Sequence, residues 1–322
     1  MWLGRALQLA RHASPVAIEP NPPVGAVIAA EEVLLGEGYH RFFGGPHAEI
    51  EALQRVKDST LLSDATLYVT LEPCCHEGKK TPPCVPALVA AGIRRVVVGC
   101  TDPNPAVSGK GIQSLQAAGV EVLLAPDPRP FRLLLRHFRV NLQKGRPYIT
   151  LKWAQAQNDG APFIGSRTQG RWPISDFWGL VWAHKLRAQH SHIGIGYGTW
   201  RLDQPALTTR FFPGESPHVL VFYDPQYGLP PEANNQFIPL SASLRDTVEM
   251  LYLERHVGSL LIEGGARLLN RFLAAQLYDE VHIIVRKGVH PPSDPVLAPL
   301  PPSLRWKRYY LSPNEVVWRG RL

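Results

Sequence analysis

The most informative stretch of the sequence is residues 70–84, TLEPCCHEGKKTPPC. The run before it, residues 66–71, is typical of a strand, and residues 84–91 form a helical pattern that Gly92 ends. One cysteine therefore lies just past a strand, and another opens a helix. Strand, loop and helix in this order are typical of an α/β fold.

The first 125 residues alternate between helical and strand periodicity. This alternation predicts a largely parallel α/β sheet covered by helices on both faces. The predicted helices are 2–12, 48–56, 84–91 and 112–118, and the predicted strands are 24–29, 33–39, 66–71, 94–100 and 120–124.

A second α/β set follows a proline-rich interruption at residues 125–130 and a basic helix near 131–142. We therefore expect two domains, residues 1–144 and residues 145–322. The second domain has predicted helices near 175–188, 245–256 and 266–275, and predicted strands at 148–153, 192–196, 218–223, 259–263 and 280–285. Its tail is proline-rich and then strand-like.

The composition is that of an ordinary globular protein. The 322 residues are 45% hydrophobic and 19% charged, and 34 basic against 27 acidic residues give a net charge of +7. That surplus suits an anionic small substrate, although a solvated surface with some excess Lys and Arg is the simpler interpretation. A basic stripe interleaved with aromatic residues, which nucleic acid would require, is missing. No apolar run predicts a membrane span, the first residues lack a signal-peptide core, and four cysteines make no disulfide framework. We expect a cytoplasmic protein.

Two thiols and one imidazole have the composition of a three-ligand zinc site. His47, Cys74 and Cys84 are these candidate ligands, and three protein ligands leave a fourth position open for water. Zinc lowers the pKa of such a water towards ~7. Glu49 lies close enough to His47 to move a proton without binding the metal. His-x-Glu followed by Pro-Cys is the signature of zinc nucleobase deaminases.

Each part of this pattern also has a less specific interpretation. A His-x-Glu triplet occurs by chance, and a cysteine at a helix start is usually a small buried hydrophobe. The loop between the two thiols is longer than a Cys-x-x-Cys spacing, and Cys75 is a competing ligand. Cys100 ends a predicted strand and is interpreted as structural.

Two glycine-rich turns in the second domain follow predicted strands, at residues 194–199 and at Gly264-Gly265. Backbone N–H groups at such a junction can bind a phosphate, although most glycine pairs only form a turn. The Gly-x-Gly-x-x-Gly pattern of a Rossmann domain is not present, so that fold is unsupported.

The first 125 residues resemble the bifunctional riboflavin-biosynthesis deaminase/reductase family. The resemblance rests on residues 20–25 (PNPPVG), 38–40 (GYH), 47–49 (HAE), 102–105 (DPNP) and the long loop 70–84, whose TPPC end separates this family from cytidine and tRNA-adenosine deaminases. It implies a cytidine-deaminase-like three-layer α/β domain acting on a 2,5-diamino-6-ribosylamino-pyrimidinone 5′-phosphate. Zinc hydroxide would attack the carbon bearing the 2-amino group, Glu49 would shuttle the proton, and Asn21 would bond the pyrimidine or the ribose.

The resemblance extends, more weakly, into the second domain through residues 145–149, 159–160, 203–210 and 263–265. It implies a dihydrofolate-reductase-like α/β domain that uses NADPH to reduce the ribose to a ribityl chain. The implied NADPH contacts are Trp172, Thr199, Asp203 and Gly265. The implied substrate contacts are Arg187, Leu207, Arg210 and Glu263, the arginines being suited to the 5′-phosphate.

Two alternatives to this two-step enzyme stay open at the level of sequence. One is a deaminase whose second domain only binds substrate or mediates dimerisation, since residues 286–292 are shorter than the corresponding family segment. The other, a nucleic-acid editor with an accessory module, is disfavoured by the loop length and the charge pattern. We expect a phosphorylated pyrimidine as substrate, no nucleic-acid or membrane partner, and a homodimer or higher homo-oligomer.

Overall fold

The computed structural model describes residues 1–75, 81–105, 107–157, 161–168, 173–240 and 243–322. The chain divides into two compact units, Met1–Lys144 and Gly145–Leu322. Each unit has its own sheet and its own apolar core. Within the described ranges, no helix has the length and apolarity needed to cross a membrane.

In the first unit, helices and strands alternate along the chain. Its helices are α1 (Trp2–Ala10), α2 (Pro15–Ile18), α3 (Ala48–Leu53), α4 (Cys84–Ala90), α5 (Lys110–Ala117), α6 (Arg129–Leu134) and α7 (Arg136–Lys144). Its strands are β1 (Gly25–Ala30), β2 (Val33–Tyr39), β3 (Thr66–Val69), β4 (Arg95–Val98) and β5 (Glu121–Leu124). The basic segment predicted as one helix is divided at Leu135 into α6 and α7.

The five strands form one sheet in the order β2-β1-β3-β4-β5. Strand β1 is antiparallel to β2 and β3, whereas β3, β4 and β5 are parallel. The expectation of a largely parallel sheet is therefore wrong for the first half of it. A tight turn at Glu31, whose φ is 49°, reverses the chain into β2. The crossover through α3 then makes β3 parallel to β2, and hence antiparallel to the β1 strand between them.

Helices cover both faces of this sheet, and β1 shows why. Ala26 and Ile28 point to one face and Val27 and Ala29 to the other, and all four are buried. The first pair belongs to a core that includes residues of α3, α4 and α5, and the second pair packs against α1. The first unit is thus a three-layer α/β domain.

The second unit is also α/β. Its helices are α8 (Phe177–Ala188), α9 (Tyr197–Asp203), α10 (Leu244–Leu253) and α11 (Ala266–Ala274). Its strands are β6 (Tyr148–Gln157), β7 (Phe163–Ser166), β8 (His192–Gly196), β9 (His218–Tyr223), β10 (Phe237–Pro239), β11 (Ser259–Glu263), β12 (Glu280–Lys287), β13 (Pro295–Leu297), β14 (Arg305–Ser312) and β15 (Glu315–Arg321).

The main path of this second sheet has the strand order β10-β9-β8-β11-β6-β12-β15-β14, and β7 pairs with β6 and β13. Neighbours from β10 to β12 are parallel, and β15 and β14 continue antiparallel. Parallel neighbours end at the same edge, so the loops after β8 and β11 lie side by side. Thr199, Glu263 and Gly265, to which the sequence assigns the cofactor or the substrate, lie at that edge.

Helices again lie on both faces of the sheet. Leu151, Ile262 and Ile283 share a core with residues of α10 and α11. On the other face, Leu261 packs with Leu186 of α8, and further apolar contacts of α8 reach β12 and β15. Helix α8 is therefore held against several strands at once.

The start of α8 is anchored to β15 by two carboxyl groups. Asp176, the residue before α8, accepts the N–H groups of Trp178 and Gly179 at 2.9 and 3.2 Å, and its own N–H donates to Glu315 at 3.1 Å. Glu315 is fully buried, and a Cβ on Gly179 would lie 2.6 Å from both of its carboxyl oxygens. Glycine at this position therefore allows the helix to approach the acid.

The pKa values of the two carboxyl groups are shifted in opposite directions. The hydrogen bond from Glu315 lowers the pKa of Asp176 to about 2. Burial, followed by the bond to Asp176 and its charge, raises the pKa of Glu315 to about 8. The raised pKa keeps Glu315 protonated at neutral pH.

The raised pKa of Glu315 predicts a pH-dependent stability. Because the folded chain holds this proton above the ordinary carboxyl pKa, the stabilisation is complete at low pH and is lost as the pH rises towards about 8. Glu315→Gln keeps a neutral hydrogen-bonding group and should remove a slope of at most ~1.4 kcal/mol per pH unit from the free energy of unfolding.

Urea unfolding followed by tryptophan fluorescence measures this slope, because every tryptophan except Trp2 lies in the second unit. Glu254→Gln, at an exposed position of the same unit, is the control. Equal slopes in the parent chain and in Glu315→Gln would contradict the raised pKa of Glu315.

Candidate metal centre and cofactor cleft

Three side chains that can bind a metal ion converge in the first unit. The Nδ1 atom of His47 lies 3.1 Å from Sγ of Cys84 and 3.5 Å from Sγ of Cys74. The three ligand atoms all lie within 4.8 Å of one another. In the part of the chain that the structure describes, no second group of three His, Cys, Asp or Glu residues comes together in this way.

Two helix starts and one loop supply the three donors. His47 immediately precedes α3, Cys84 is the first residue of α4, and Cys74 lies in the loop after β3. The backbone N–H of Cys84 donates to Sγ of Cys74 at 3.4 Å. The start of α4 thus positions one donor and stabilises negative charge on another.

Glu72 fixes the loop that carries Cys74. Its buried carboxylate accepts backbone N–H groups from residues 102–112. The four donors are Asp102, Gly109, Gly111 and Ile112, at 3.0, 2.9, 2.8 and 3.3 Å. A Cβ on Gly111 would lie 2.0 Å from the carbonyl oxygen of Pro73, so the two segments touch only because residue 111 is glycine.

The chemistry of the donors fits zinc. While Nδ1 of His47 faces the thiols, its Nε2 lies 2.8 Å from Oγ1 of Thr81, the kind of outer hydrogen bond that orients a metal-binding imidazole. A hydrogen bond from Cys84 lowers the pKa of Cys74 to about 4, and the same bond raises the pKa of Cys84. Two thiols that share one proton can bind a divalent cation, and the proton is released when the cation binds.

Glu49 lies beside the three donors. Its side chain is buried and forms a hydrogen bond with the Cys84 thiol. Burial, and then the neighbouring Cys74, raise the pKa of Glu49. A buried carboxyl next to metal-binding side chains is placed to carry a proton to and from a reacting group.

The other two cysteines have different surroundings. Cys75 packs against the apolar core of the first unit. Cys100 is buried, and its thiol donates to the carbonyl of Thr70 at 3.6 Å. The geometry therefore favours Cys74 over Cys75 as the donor of this loop.

Asn21 approaches the cluster through His40. Its Nδ2 lies 2.9 Å from Nε2 of His40, whose Nδ1 lies 3.0 Å from the carbonyl oxygen of Pro46. Since a carbonyl can only accept, Nδ1 of His40 carries the ring proton and Nε2 accepts from Asn21. The rings of His40 and His47 meet edge-on with centroids 5.7 Å apart. These bonds fix the orientation of the Asn21 amide.

A buried ion cluster lies where β11 ends in the second unit. Glu263 accepts from Nε and Nη2 of Arg187 at 2.9 and 2.8 Å, and Nζ of Lys152 is 3.4 Å from the same carboxylate. Burial acts to raise the pKa of Glu263, but the charges of Arg187 and Lys152 outweigh it and lower the pKa to about 2. Glu263 is thus a permanent anion.

Arg187 also holds the loop that follows α9. Its Nη1 donates to the carbonyl of Thr208 at 3.0 Å. Leu207, which is buried, has a φ of 50°, a left-handed backbone that turns the chain at this point. Arg210 is exposed and donates to Oγ1 of Thr208 at 3.1 Å. The four residues to which the sequence assigns the substrate therefore lie in one neighbourhood, beside a cleft lined by Phe177, residues 208–214 and Ser216.

The residues to which the sequence assigns NADPH lie next to this neighbourhood. Gly264 and Gly265 both have positive φ, and a Cβ on Gly265 would lie 2.8 Å from Oγ1 of Thr199. The turn leads directly into α11. Asp203, the last residue of α9, is one helical turn beyond Thr199. Trp172 lies outside the described residues.

Three supporting residues were not assigned a role from the sequence. Glu72 and Lys152 could have been found from the sequence, because each is a charged residue next to or within a predicted buried strand. Thr81 gave no signal, since its role depends on where the loop returns to His47.

Comparison with known proteins matches each unit separately. Residues 1–100 match the cytidine and deoxycytidylate deaminase zinc-binding region, and residues 147–286 match the RibD C-terminal domain. The chain is 38% identical to riboflavin biosynthesis protein RibD of Aquifex aeolicus over 295 residues. The matched region covers 83% of this chain and 81% of that protein.

Two solved structures cover nearly the whole chain. RibD of Acinetobacter baumannii has a TM-score of 0.84 at 29% identity, covering 99% of this chain and 97% of that one. A diaminohydroxyphosphoribosylaminopyrimidine deaminase/5-amino-6-(5-phosphoribosylamino)uracil reductase from Thermotoga maritima has a TM-score of 0.82 at 30% identity, with the same coverage.

Fold and site together define a two-domain α/β enzyme that joins a zinc-dependent deaminase to an NADP-dependent reductase. The chain belongs to the RibD family of riboflavin biosynthesis proteins. The family, the fold class, the two activities and the cofactors, zinc and NADPH, are thereby confirmed.

The metal-binding geometry predicts different outcomes for two cysteines of one loop region. Cys84→Ser should lower the zinc content from about one ion per chain to near zero, because two ligands do not hold the ion against a chelator. Cys75→Ser, which changes a cysteine packed on the core, should keep it. Elemental analysis of dialysed protein measures both, and equal zinc loss in the two variants would contradict the ligand set.

Proposed function

We propose that this chain performs two successive steps of riboflavin biosynthesis on one phosphorylated pyrimidine. The first unit deaminates a diaminohydroxyphosphoribosylaminopyrimidine, and the second reduces the resulting 5-amino-6-(5-phosphoribosylamino)uracil. These are the two substrates named for the Thermotoga maritima relative. The observation that carries the proposal is the convergence of His47, Cys74 and Cys84 within 4.8 Å beside the buried Glu49.

His47, Cys74 and Cys84 are the proposed zinc ligands of the deaminase. Zinc bound there is a Lewis acid that lowers the pKa of water and so makes a nucleophile available at neutral pH. Glu49 takes up a proton released from water and delivers it to the amino group, which leaves as ammonia. The other proton of the water goes to the adjacent ring nitrogen as the ring carbonyl forms. Asn21, oriented by His40, contacts the pyrimidine or the ribose.

Thr199, Asp203 and Gly265 are the proposed NADPH contacts of the reductase, and Trp172 is proposed from the sequence alone. NADPH held there would supply a hydride to the anomeric carbon of the ring-opened imine, and a proton taken up by the imine nitrogen would complete the ribityl amine. Arg187 and Glu263 form a fixed pair that holds Thr208 at the edge of the cleft, and Leu207 precedes Thr208 with a left-handed backbone. The exposed guanidinium of Arg210 is available to the 5′-phosphate.

We also propose a cytoplasmic location and a homodimer or higher homo-oligomer. All four cysteines are free, and a two-thiolate zinc site needs a reducing compartment. Leu123 and Leu124 lie on β5 at the edge of the first sheet and are about half exposed, at 48% and 55%, which suits a contact with another chain. Fractionation and light scattering test the two proposals.

The two steps should respond differently to metal removal. A chelator should abolish ammonia release from the diaminopyrimidine phosphate while leaving NADPH oxidation with the deaminated substrate unchanged, because only the first unit holds the proposed metal ligands. Both steps are followed on the full chain by ammonia determination and by NADPH absorbance. A chain that releases ammonia and consumes no NADPH would support the deaminase-only alternative.

Glu49→Gln should keep its zinc and lose about 10²–10⁴-fold in ammonia release, because the amide cannot carry the proton. Glu51→Gln, on the same short helix and paired with Arg55, is the control and should stay active. The assigned proton shuttle would be wrong if Glu49→Gln released ammonia at the normal rate.

Arg210→Ala should raise the reductase KM for the phosphorylated substrate about 10- to 100-fold and leave the KM for NADPH nearly unchanged, because one charge-assisted contact is removed. Arg245→Ala, which removes an exposed arginine of α10, is the matched control. An unchanged substrate KM in Arg210→Ala would remove Arg210 from the site.

A further inference from the structure

Helix α8 packs one histidine against the loop that carries Arg210. His184 is 1% exposed, and its Nδ1 accepts the backbone N–H of Phe211 at 3.2 Å. The imidazole also forms a hydrogen bond with the backbone of Thr209 and lies on the Phe211 ring, with centroids 4.8 Å apart. His184 is therefore bonded to the residue before Arg210 and to the residue after it.

A second anchor comes from the same face of α8. Arg187 lies one turn beyond His184 and donates to the carbonyl of Thr208. The backbone is thus held from α8 at Thr208, Thr209 and Phe211, whereas the Arg210 side chain between them is exposed at the cleft.

We propose that His184 is a positioning residue of the reductase: its uncharged imidazole holds the backbone of residues 209–211 so that the Arg210 guanidinium is presented to the phosphate of the substrate. This inference rests on the proposed function, because it gives Arg210 a substrate to bind. His184 itself touches neither substrate nor cofactor in this scheme and acts through Arg210.

The surroundings of His184 keep its ring neutral. Burial, followed by the positive charges of Arg187 and Arg210, lowers the pKa of His184 to about 4. At neutral pH the ring is therefore uncharged, and its Nδ1, which carries no hydrogen, accepts the backbone N–H of Phe211. A loop ordered in this way before binding avoids the entropy cost of ordering it on the substrate.

Three substitutions of His184 distinguish the contribution of its hydrogen bond from that of its packing. His184→Asn places an amide oxygen close to the position of Nδ1, so it can accept from Phe211. His184→Leu keeps apolar volume without an acceptor. His184→Gln is polar, but its amide reaches the position of Nε2, so it serves as the acceptor-misplaced variant if the leucine variant does not fold.

We expect His184→Leu and His184→Gln to raise the KM for the phosphorylated substrate about tenfold while kcat and the KM for NADPH change by less than about twofold. His184→Asn should recover most of the loss. Ammonia release by the first unit of the same chain is the internal control. An unchanged substrate KM, or an asparagine variant as impaired as leucine, would overturn the proposal.

A double-mutant cycle with Arg210→Ala tests the route of the effect. If His184 acts through Arg210, then His184→Leu should raise the substrate KM no further in the Arg210→Ala background. A tenfold increase in both backgrounds would show that His184 acts by another route and would overturn the proposal.

Hydrogen exchange of the segment 207–214, measured by mass spectrometry, gives a readout that does not depend on catalysis. Exchange should be faster in His184→Leu and unchanged in His184→Asn. A parent chain that consumes no NADPH would refute the proposed reductase, whereas equal exchange in all variants would refute the anchoring by His184. The two failures are therefore distinguishable.

Discussion

The close approach of two thiols and one imidazole is the constraint on which the first unit depends. Thiolates at this distance repel each other, so the site is stable either with a shared proton or with a cation between the donors. The fold brings them together through rigid elements: His47 and Cys84 begin helices, and the loop with Cys74 is tied by Glu72 to four backbone N–H groups. The glycine at position 111 belongs to the same arrangement, because any side chain there would separate the two segments.

The second unit depends on a different constraint, which is the burial of the Glu263 charge. Glu263 is balanced by Arg187 and Lys152, and Arg187 in turn holds the loop before Arg210. Helix α8 supplies Arg187, and Asp176, the residue before the helix, donates its backbone N–H to Glu315 of β15. Removing Arg187 would leave the buried charge of Glu263 poorly compensated. The charge balance around Glu263 therefore depends on the position of α8.

The sequence predicted the elements with a long periodic pattern and missed those without one. Strands such as β11 and helices such as α11 lie within a residue of their predicted bounds. Helix α9 was interpreted as a glycine-rich turn, and strands β7 and β10 are too short for periodicity to show. The direction of β3 relative to β1 depends on a turn and a crossover, which local pattern does not encode.

The candidate site was predictable to the extent that single residues carry chemistry. The residue types and order of His47, Cys74 and Cys84 sufficed to propose one cluster, and the geometry places them in it. The pairing of Lys152 with Glu263 depends instead on β6 and β11 being adjacent in one register, although the two residues are far apart in the chain. The same applies to His184 and Phe211, whose contact requires a loop to return to α8.

Three buried glutamates have different roles because their surroundings differ. Glu72 accepts four backbone N–H groups and so organises a loop, whereas Glu263 lies between two cations that hold it as an anion. Glu49 lies instead against a thiol in a buried position that disfavours its charge. An anion satisfied by its neighbours gains nothing by taking up a proton, whereas a carboxyl whose charge is poorly stabilised exchanges one readily. Of the three, Glu49 alone has the surroundings that proton transfer requires, and it is also the one beside the metal-binding donors.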